Sequence, residues 1–180
     1  MKVLFYGGTR FVGKALVSSL LSKGHEIFVF TRGNLPVPKN ITHIRGDRSN
    51  DEDLKKLSGH SFDLIVDSSG RRLEDTQRLL KFSGLPSFRF IYISSAGVYD
   101  NTQLFPISEE SPIDFESRHI GKANTESWLK AEGIPFTSFR PTYIYGPGNY
   151  NPIEKWFFDR ITNGRSIPVP FDGQTITQLG

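Results

Sequence analysis

The 180-residue chain contains no cysteine. That excludes a disulfide framework, thiolate metal ligation and a cysteine nucleophile together, and it fits a reducing compartment. The chain also lacks any apolar run near the roughly 18 residues that cross a bilayer as a helix. Its first apolar run, up to Tyr6, stops at Gly7 and Gly8. This is too short for the hydrophobic segment of a signal peptide, and no small-residue cleavage site follows. The expectation is a protein with no membrane partner and a cytoplasmic address, or a plastid-stromal one in a plant. Internal repeats, low-complexity segments and long Lys/Arg blocks are missing too. A net charge of +3 therefore permits nucleic acid or phosphorylated ligands as partners without requiring them.

What is present is one domain's worth of alternating pattern, with 37% hydrophobic residues to fill a core. Short apolar runs predict strands at Lys2–Tyr6, Glu26–Phe30, Ile41–Ile44, Phe62–Val66, Phe88–Ile93 and Pro135–Phe139. Between them lie helical patterns. Val12, Leu16 and Leu20 recur at i, i+4 and i+8 until Gly24. Further helices are predicted over Asp51–Leu57, Leu73–Phe82, Arg118–Glu132 and Pro152–Thr162, then extended segments over Ser166–Gln178 with a turn at Asp172-Gly173. Strands alternating with helices predict an α/β fold, a doubly wound parallel sheet in a three-layer sandwich.

Directly after the first strand, and opening the first helix, stands Gly7-Gly8-Thr9-Arg10-Phe11-Val12-Gly13. Glycines there allow a tight turn, bring backbone against a pyrophosphate at the helix N-terminus, and let helix and strand pack closely. The strand before and helix after supply the context that makes the pattern meaningful. Residues 1–150 are accordingly read as a dinucleotide-binding domain. Arg10 departs from the Gly-x-x-Gly-x-x-Gly spacing, where a middle glycine is expected. After the second strand, an NAD site usually carries an acid for the ribose hydroxyl. Here Thr31 and Arg32 stand instead. Arg32 and Arg10 both favour a 2′-phosphate, so NADP is expected over NAD. Asp47, after the third strand, is placed either to accept from an adenine amino group or to cap a turn.

These residues resemble the epimerase/dehydratase branch of the extended or atypical short-chain dehydrogenase/reductases. Besides the glycine loop, the resemblance rests on Ser94-Ser95-Ala96-Gly97-Val98-Tyr99, on Pro106-Ile107-Ser108-Glu109, and on the run from Arg140-Pro141 to Tyr145-Gly146-Pro147-Gly148. It implies a Ser, Tyr-x-x-x-Lys arrangement, in which the phenol moves a proton, the lysine lowers its pKa and holds the nicotinamide ribose, and the serine orients the substrate oxygen. Ser95 takes the serine place and Lys122 the lysine place. Four residues before Lys122 stands Arg118, and no tyrosine occurs between Asp100 and Thr142. A guanidinium does not cycle a proton at neutral pH, so the standard redox chemistry is expected to be absent.

The run from Glu116 to Glu126, with Asn149-Tyr150-Asn151-Pro152, resembles more narrowly the chloroplast stem-loop RNA-binding proteins and their cyanobacterial relatives. That resemblance implies RNA as a partner, RNA binding or cleavage as the activity, and a longer protein of which this is the N-terminal part. With the wider family resemblance it implies that residues 151–180 begin a further, incomplete C-terminal substrate lobe. A nucleotide-sugar substrate is the alternative, kept by Ser95, Lys122 and the Tyr-Gly-Pro-Gly segment. His119 is a candidate acid or base in phosphodiester cleavage, being the side chain that titrates near neutrality. Arg71 and Arg72, after the fourth strand, are candidate phosphate contacts. Glu109, Glu110, Asp114 and Glu116 read as a solvated loop rather than a metal cluster. Ile153, Trp156, Phe157 and Ile161 recur at helical spacing and read as packing for that further lobe.

Overall fold

The computed structural model describes residues 1–100, 106–169 and 172–174. Six strands form one parallel sheet: β1 (Lys2–Tyr6), β2 (Glu26–Thr31), β3 (Thr42–Arg45), β4 (Leu64–Asp67), β5 (Arg89–Ile93) and β6 (Phe136–Phe139). Their spatial order is β3-β2-β1-β4-β5-β6. The chain winds outward from β1 to β3, then restarts beside β1 at β4 and winds the other way. The point of reversal between β1 and β4 opens a crevice at the carboxyl ends of the strands.

Helices cover both faces. α1 (Phe11–Ser22) lies on one and α2 (Asp51–Leu54), α3 (Leu73–Ser83) and α4 (Ile120–Ala131) on the other, while α5 (Ile153–Thr162) adds nothing to either core. Alternate residues of the central strands feed two cores, as the two-residue period of a strand requires. Leu4, Tyr6, Phe28, Phe30, Ile65, Phe90 and Tyr92 pack with Leu54, Leu79 and Leu129 on one side. Val3, Phe5, Ile27, Val29 and Val66 pack with Val17 of α1 on the other. Burial on both faces explains why β1 reads as an unbroken apolar run rather than an alternating one.

The predicted elements are present with end shifts of one or two residues, and two shifts matter for the site. β4 runs on to include Asp67. α4 begins at Ile120, which leaves Arg118 and His119 in the turn ahead of the helix. Asp51–Leu57 is a single α-turn followed by a 3-10 turn at Lys55–Leu57. The predicted turn at Asp172-Gly173 is present, with the Gln174 amide donating to the Asp172 carboxylate at 3.1 Å. Much of the extended segment predicted around it lies outside the described residues. None of α5 is buried: Ile153, Trp156, Phe157 and Ile161 are each 43–62% exposed. Among the described residues no helix is long and apolar enough to cross a membrane.

Candidate dinucleotide and phosphate site

The glycine loop joins β1 to α1 at the middle of the carboxyl edge. Gly7 and Gly8 have φ of +98° and +88°, a region closed to most side chains. A Cβ on Gly13 would sit 2.7 Å from the Gly8 Cα, so the first turn of α1 lies directly on the loop backbone. α1 starts with no side-chain cap and no acidic residue in its first turn. Among the described residues no side chain caps its first N–H groups, which suits an anion. Phe11 holds φ +36°, a strained value for a residue with a side chain. Val12 follows it in the first turn. Arg10, exposed, stacks its guanidinium over the ring of Tyr150 at 5.5 Å. These features fit a dinucleotide: Gly7, Gly8, Thr9, Arg10, Phe11, Val12 and Gly13 form the segment that would hold its pyrophosphate.

On one side of this loop, Arg32, Arg45, Gly46, Asp47, Asp53 and Lys56 line an open cleft of about 330 Å³. Arg45 Nε donates to the Arg32 carbonyl at 3.0 Å, and the side chain lies across Gly33, which has no Cβ to obstruct it. Lys56 is occupied by Asp53 and by the Arg45 carbonyl. One Asp47 oxygen accepts from both the amide and the hydroxyl of Ser49, at 2.9 and 2.7 Å. These bonds hold its carboxyl below the usual range. Asp47 thus caps its own turn, and its second oxygen is the one left for a ligand. Arg45 escaped the sequence reading because it ends β3, and only the pairing of Thr31 with Arg45 shows that it stands beside the end of β2.

On the other side lies a compact basic group. Ser95 follows β5, and its hydroxyl accepts from the Gly97 amide at 3.1 Å. Gly97 faces His119: a Cβ there would meet His119 Cδ2 at 2.6 Å, His119 Nε2 at 3.1 Å and Ser95 Oγ at 3.3 Å. The fold therefore brings Ser95 and His119 to one spot, which their spacing in the sequence does not suggest. Arg118 Nε donates to His119 Nε2 at 3.1 Å, which requires a neutral ring carrying its proton on Nδ1. Burial, then the cations Arg118, Lys122 and Arg71, push the His119 pKa below its ordinary value. Lys122 donates to the carbonyls of Ile93 (2.6 Å) and Ser94 (3.2 Å), leaving one of its three N–H bonds for a ligand. Burial is the main reason its pKa lies below the ordinary lysine value. Arg71 and Arg118 are exposed at the rim. Arg72 is exposed beside Arg71, and Asp75 accepts both of their backbone amides. Glu109, Glu110 and Glu116 are exposed.

Two further groups went unread in the sequence. Asp67 is fully buried at the end of β4 and pairs with Arg48, 3.1 Å away. A charged residue ending an apolar strand was the available signal. Glu126, buried on α4, pairs with Arg140, whose guanidinium also donates to Tyr99 Oη at 2.9 Å and the Glu109 carbonyl at 3.2 Å.

The sequence pattern of the NAD dependent epimerase/dehydratase family matches residues 3–178, nearly the whole chain. The chain belongs to that family. Among its relatives, the chloroplast stem-loop binding protein of 41 kDa b from Arabidopsis thaliana is 44% identical over 196 residues, 99% of this chain and 51% of that protein. A 3-beta-hydroxysteroid dehydrogenase from Mycolicibacterium neoaurum is 28% identical, covering 87% of this chain and 51% of that one. The chain thus spans about half the length of these relatives. Among solved structures, the UDP-glucose 4-epimerase of Thermotoga maritima with UDP-glucose superposes with a TM-score of 0.80 at 20% identity, over 97% of this chain and 67% of that one. WbmG of Bordetella bronchiseptica, in complex with NAD and UDP, gives 0.76 at 21% identity, over 93% and 61%. At these identities the structures establish the doubly wound fold alone.

Proposed function

We propose that this family member binds a dinucleotide, NADP in preference to NAD, and that its function is RNA binding rather than oxidoreduction. One observation carries the reading. Arg118 stands four residues before Lys122, where a proton-transferring tyrosine would be, and joins Lys122, Arg71 and the neutral His119 in one basic group. Such a group suits phosphate, and it lacks the phenol that would move the proton accompanying a hydride transfer. The relation to a stem-loop binding protein supports RNA as the polyanion. Lys122 would hold the nicotinamide ribose and Ser95 would lie beside it, with the glycine loop on the pyrophosphate and Arg32 and Arg45 at the adenosine end. A bound dinucleotide would offer hydride chemistry at its nicotinamide ring. Among the described residues His119 is the side chain beside Ser95 whose ordinary pKa lies nearest neutrality, and its ring accepts from Arg118. The experiment is competition: NADP at saturation should displace a stem-loop RNA, because the same cations cannot serve both polyanions. Undiminished RNA binding would separate the two sites and end this version of the proposal.

The cofactor preference is tested by calorimetry with both dinucleotides. NADP should bind more tightly than NAD, and Arg32→Ala should remove most of the difference. A lost charge-assisted bond to the 2′-phosphate costs about 1.5–3 kcal/mol, a tenfold effect or more. Equal affinities in the parent protein contradict the assignment of Arg32.

The second reading is a nucleotide-sugar epimerase, dehydratase or reductase, and the retained Ser95 and Lys122 favour it. A panel of nucleotide sugars with cofactor, followed by absorbance and chromatography, should give no steady turnover. Robust turnover that disappears in Ser95→Ala would establish the enzyme instead.

A further inference from the structure

Arg48 lies in the loop after β3, yet its partner Asp67 ends β4. In a sheet ordered β3-β2-β1-β4, those strands are three intervals apart, about 14 Å. The loop after β3 and the arginine side chain together cross that span, and the side chain ends at Asp67. Its guanidinium lies over the ring of Tyr6 at 5.0 Å, and Tyr6 in turn stacks on Phe30 at 4.9 Å. Its Nη1 reaches Asp67 at 3.3 Å and Ser69 Oγ at 2.7 Å, while Nη2 reaches the other Asp67 oxygen at 3.1 Å. Asp67 meanwhile accepts the amides of Ser69 (3.0 Å) and Gly70 (2.8 Å). Gly70 is wrapped so tightly around this carboxylate that a Cβ would lie 2.5 Å from it. Outside, Tyr92 Oη donates to the Gly70 carbonyl at 3.2 Å, and Gly121 of α4 lets the Arg71 carbonyl come close.

We propose that Arg48 is a positioning residue that couples the two halves of the dinucleotide crevice across the reversal point between β1 and β4. One half is the loop of Asp47, adjacent to Arg48 in sequence, at the adenosine end. The other is the Ser69–Arg72 loop, which places Arg71 beside His119 and Lys122. The coupling rests on the dinucleotide reading above. A purely structural pair would need only Asp67 and a cation; this arginine also holds Ser69 and covers Tyr6, so both loops share one anchor. Arg48 Nε and Tyr6 Oη are buried there without a hydrogen-bond partner among the described residues. That is a polar floor beneath a site for a polar ligand.

The test is NADP and 2′,5′-ADP titration of the parent protein, of Arg48→Met/Asp67→Asn, and of Arg48→Lys. The double variant removes both buried charges and should keep a thermal midpoint near the parent's. Its NADP affinity should nonetheless fall about tenfold, in the range of ordinary site-to-site coupling, and fall more than that for 2′,5′-ADP, which fills one half only. Arg48→Lys keeps the charge but lacks the fork that reaches Asp67 and Ser69 together. It should fold and lose part of the same affinity, which keeps the question open to measurement if the double variant does not fold. Parent-like NADP affinity in a folded variant, or equal losses for the two ligands, overturns the coupling while leaving the dinucleotide reading intact. A parent protein that binds neither nucleotide overturns both.

Discussion

Arg140→Met is expected to lower folding stability by about 3–5 kcal/mol, the effect of leaving a buried charge without its partner. The Glu126 side chain is 8% exposed. It accepts from Ser138 Oγ at 2.7 Å and from Arg140 Nε at 3.0 Å. Burial pushes the Glu126 carboxyl up, but the hydrogen bonds from Arg140 and Ser138 outweigh it and hold the pKa below its ordinary 4.5. The sign of the pH dependence follows. In the parent, the stabilisation is fully present above 4.5 and is lost as pH falls through the lower folded value. In Arg140→Met burial prevails, the carboxyl titrates above its unfolded value, and acidification should now recover stability. Glu126→Gln/Arg140→Met should restore most of it at neutral pH, since an uncharged pair has no ion to strand. Denaturant titrations between pH 4 and pH 8 measure all three. A loss under about 1 kcal/mol in the single variant, or no reversal of its pH slope, would show that Glu126 is already well solvated.

The sheet and the glycine loop were legible because both are written locally. Unbroken apolar runs signal strands covered on two faces, and Gly7, Gly8 and Gly13 mark a turn that only glycine fits. The strand order was legible only as a class, since reversal at β4 is a tertiary choice. Within the site, Gly97 and His119 lie 22 positions apart and Arg48 and Asp67 lie 19 apart, so their meeting depends on which strand ends adjoin. No periodicity encodes that. His119 could be read as titratable but not as neutral, because its lowered pKa comes first from burial and then from Arg118 and Lys122 on its own segment and Arg71 from the loop after β4. Asp47 shows the reverse case: both roles were visible, and Ser49 two residues on was the local clue that it caps its turn.

RNA binding is the largest functional effect expected, and its physics is specific. On the RNA reading the exposed Arg71, Arg72 and Arg118 and the partly buried Lys122 would each offer a cation to a phosphate. Four such contacts on a single strand give a slope of log affinity against log salt of about −2.8, or roughly fiftyfold weaker binding between 50 and 200 mM salt. Arg118→Ala should shrink the slope by about 0.7 and weaken all sequences alike, because phosphate contacts carry no base readout. The most direct measurement is a gel-shift salt series on a stem-loop RNA, with duplex DNA as control, for the parent protein and Arg118→Ala. A steep parent slope that is reduced in the variant is the predicted result. Binding indifferent to salt, or no binding at moderate salt, contradicts the RNA reading and leaves Ser95 and Lys122 as parts of an enzyme.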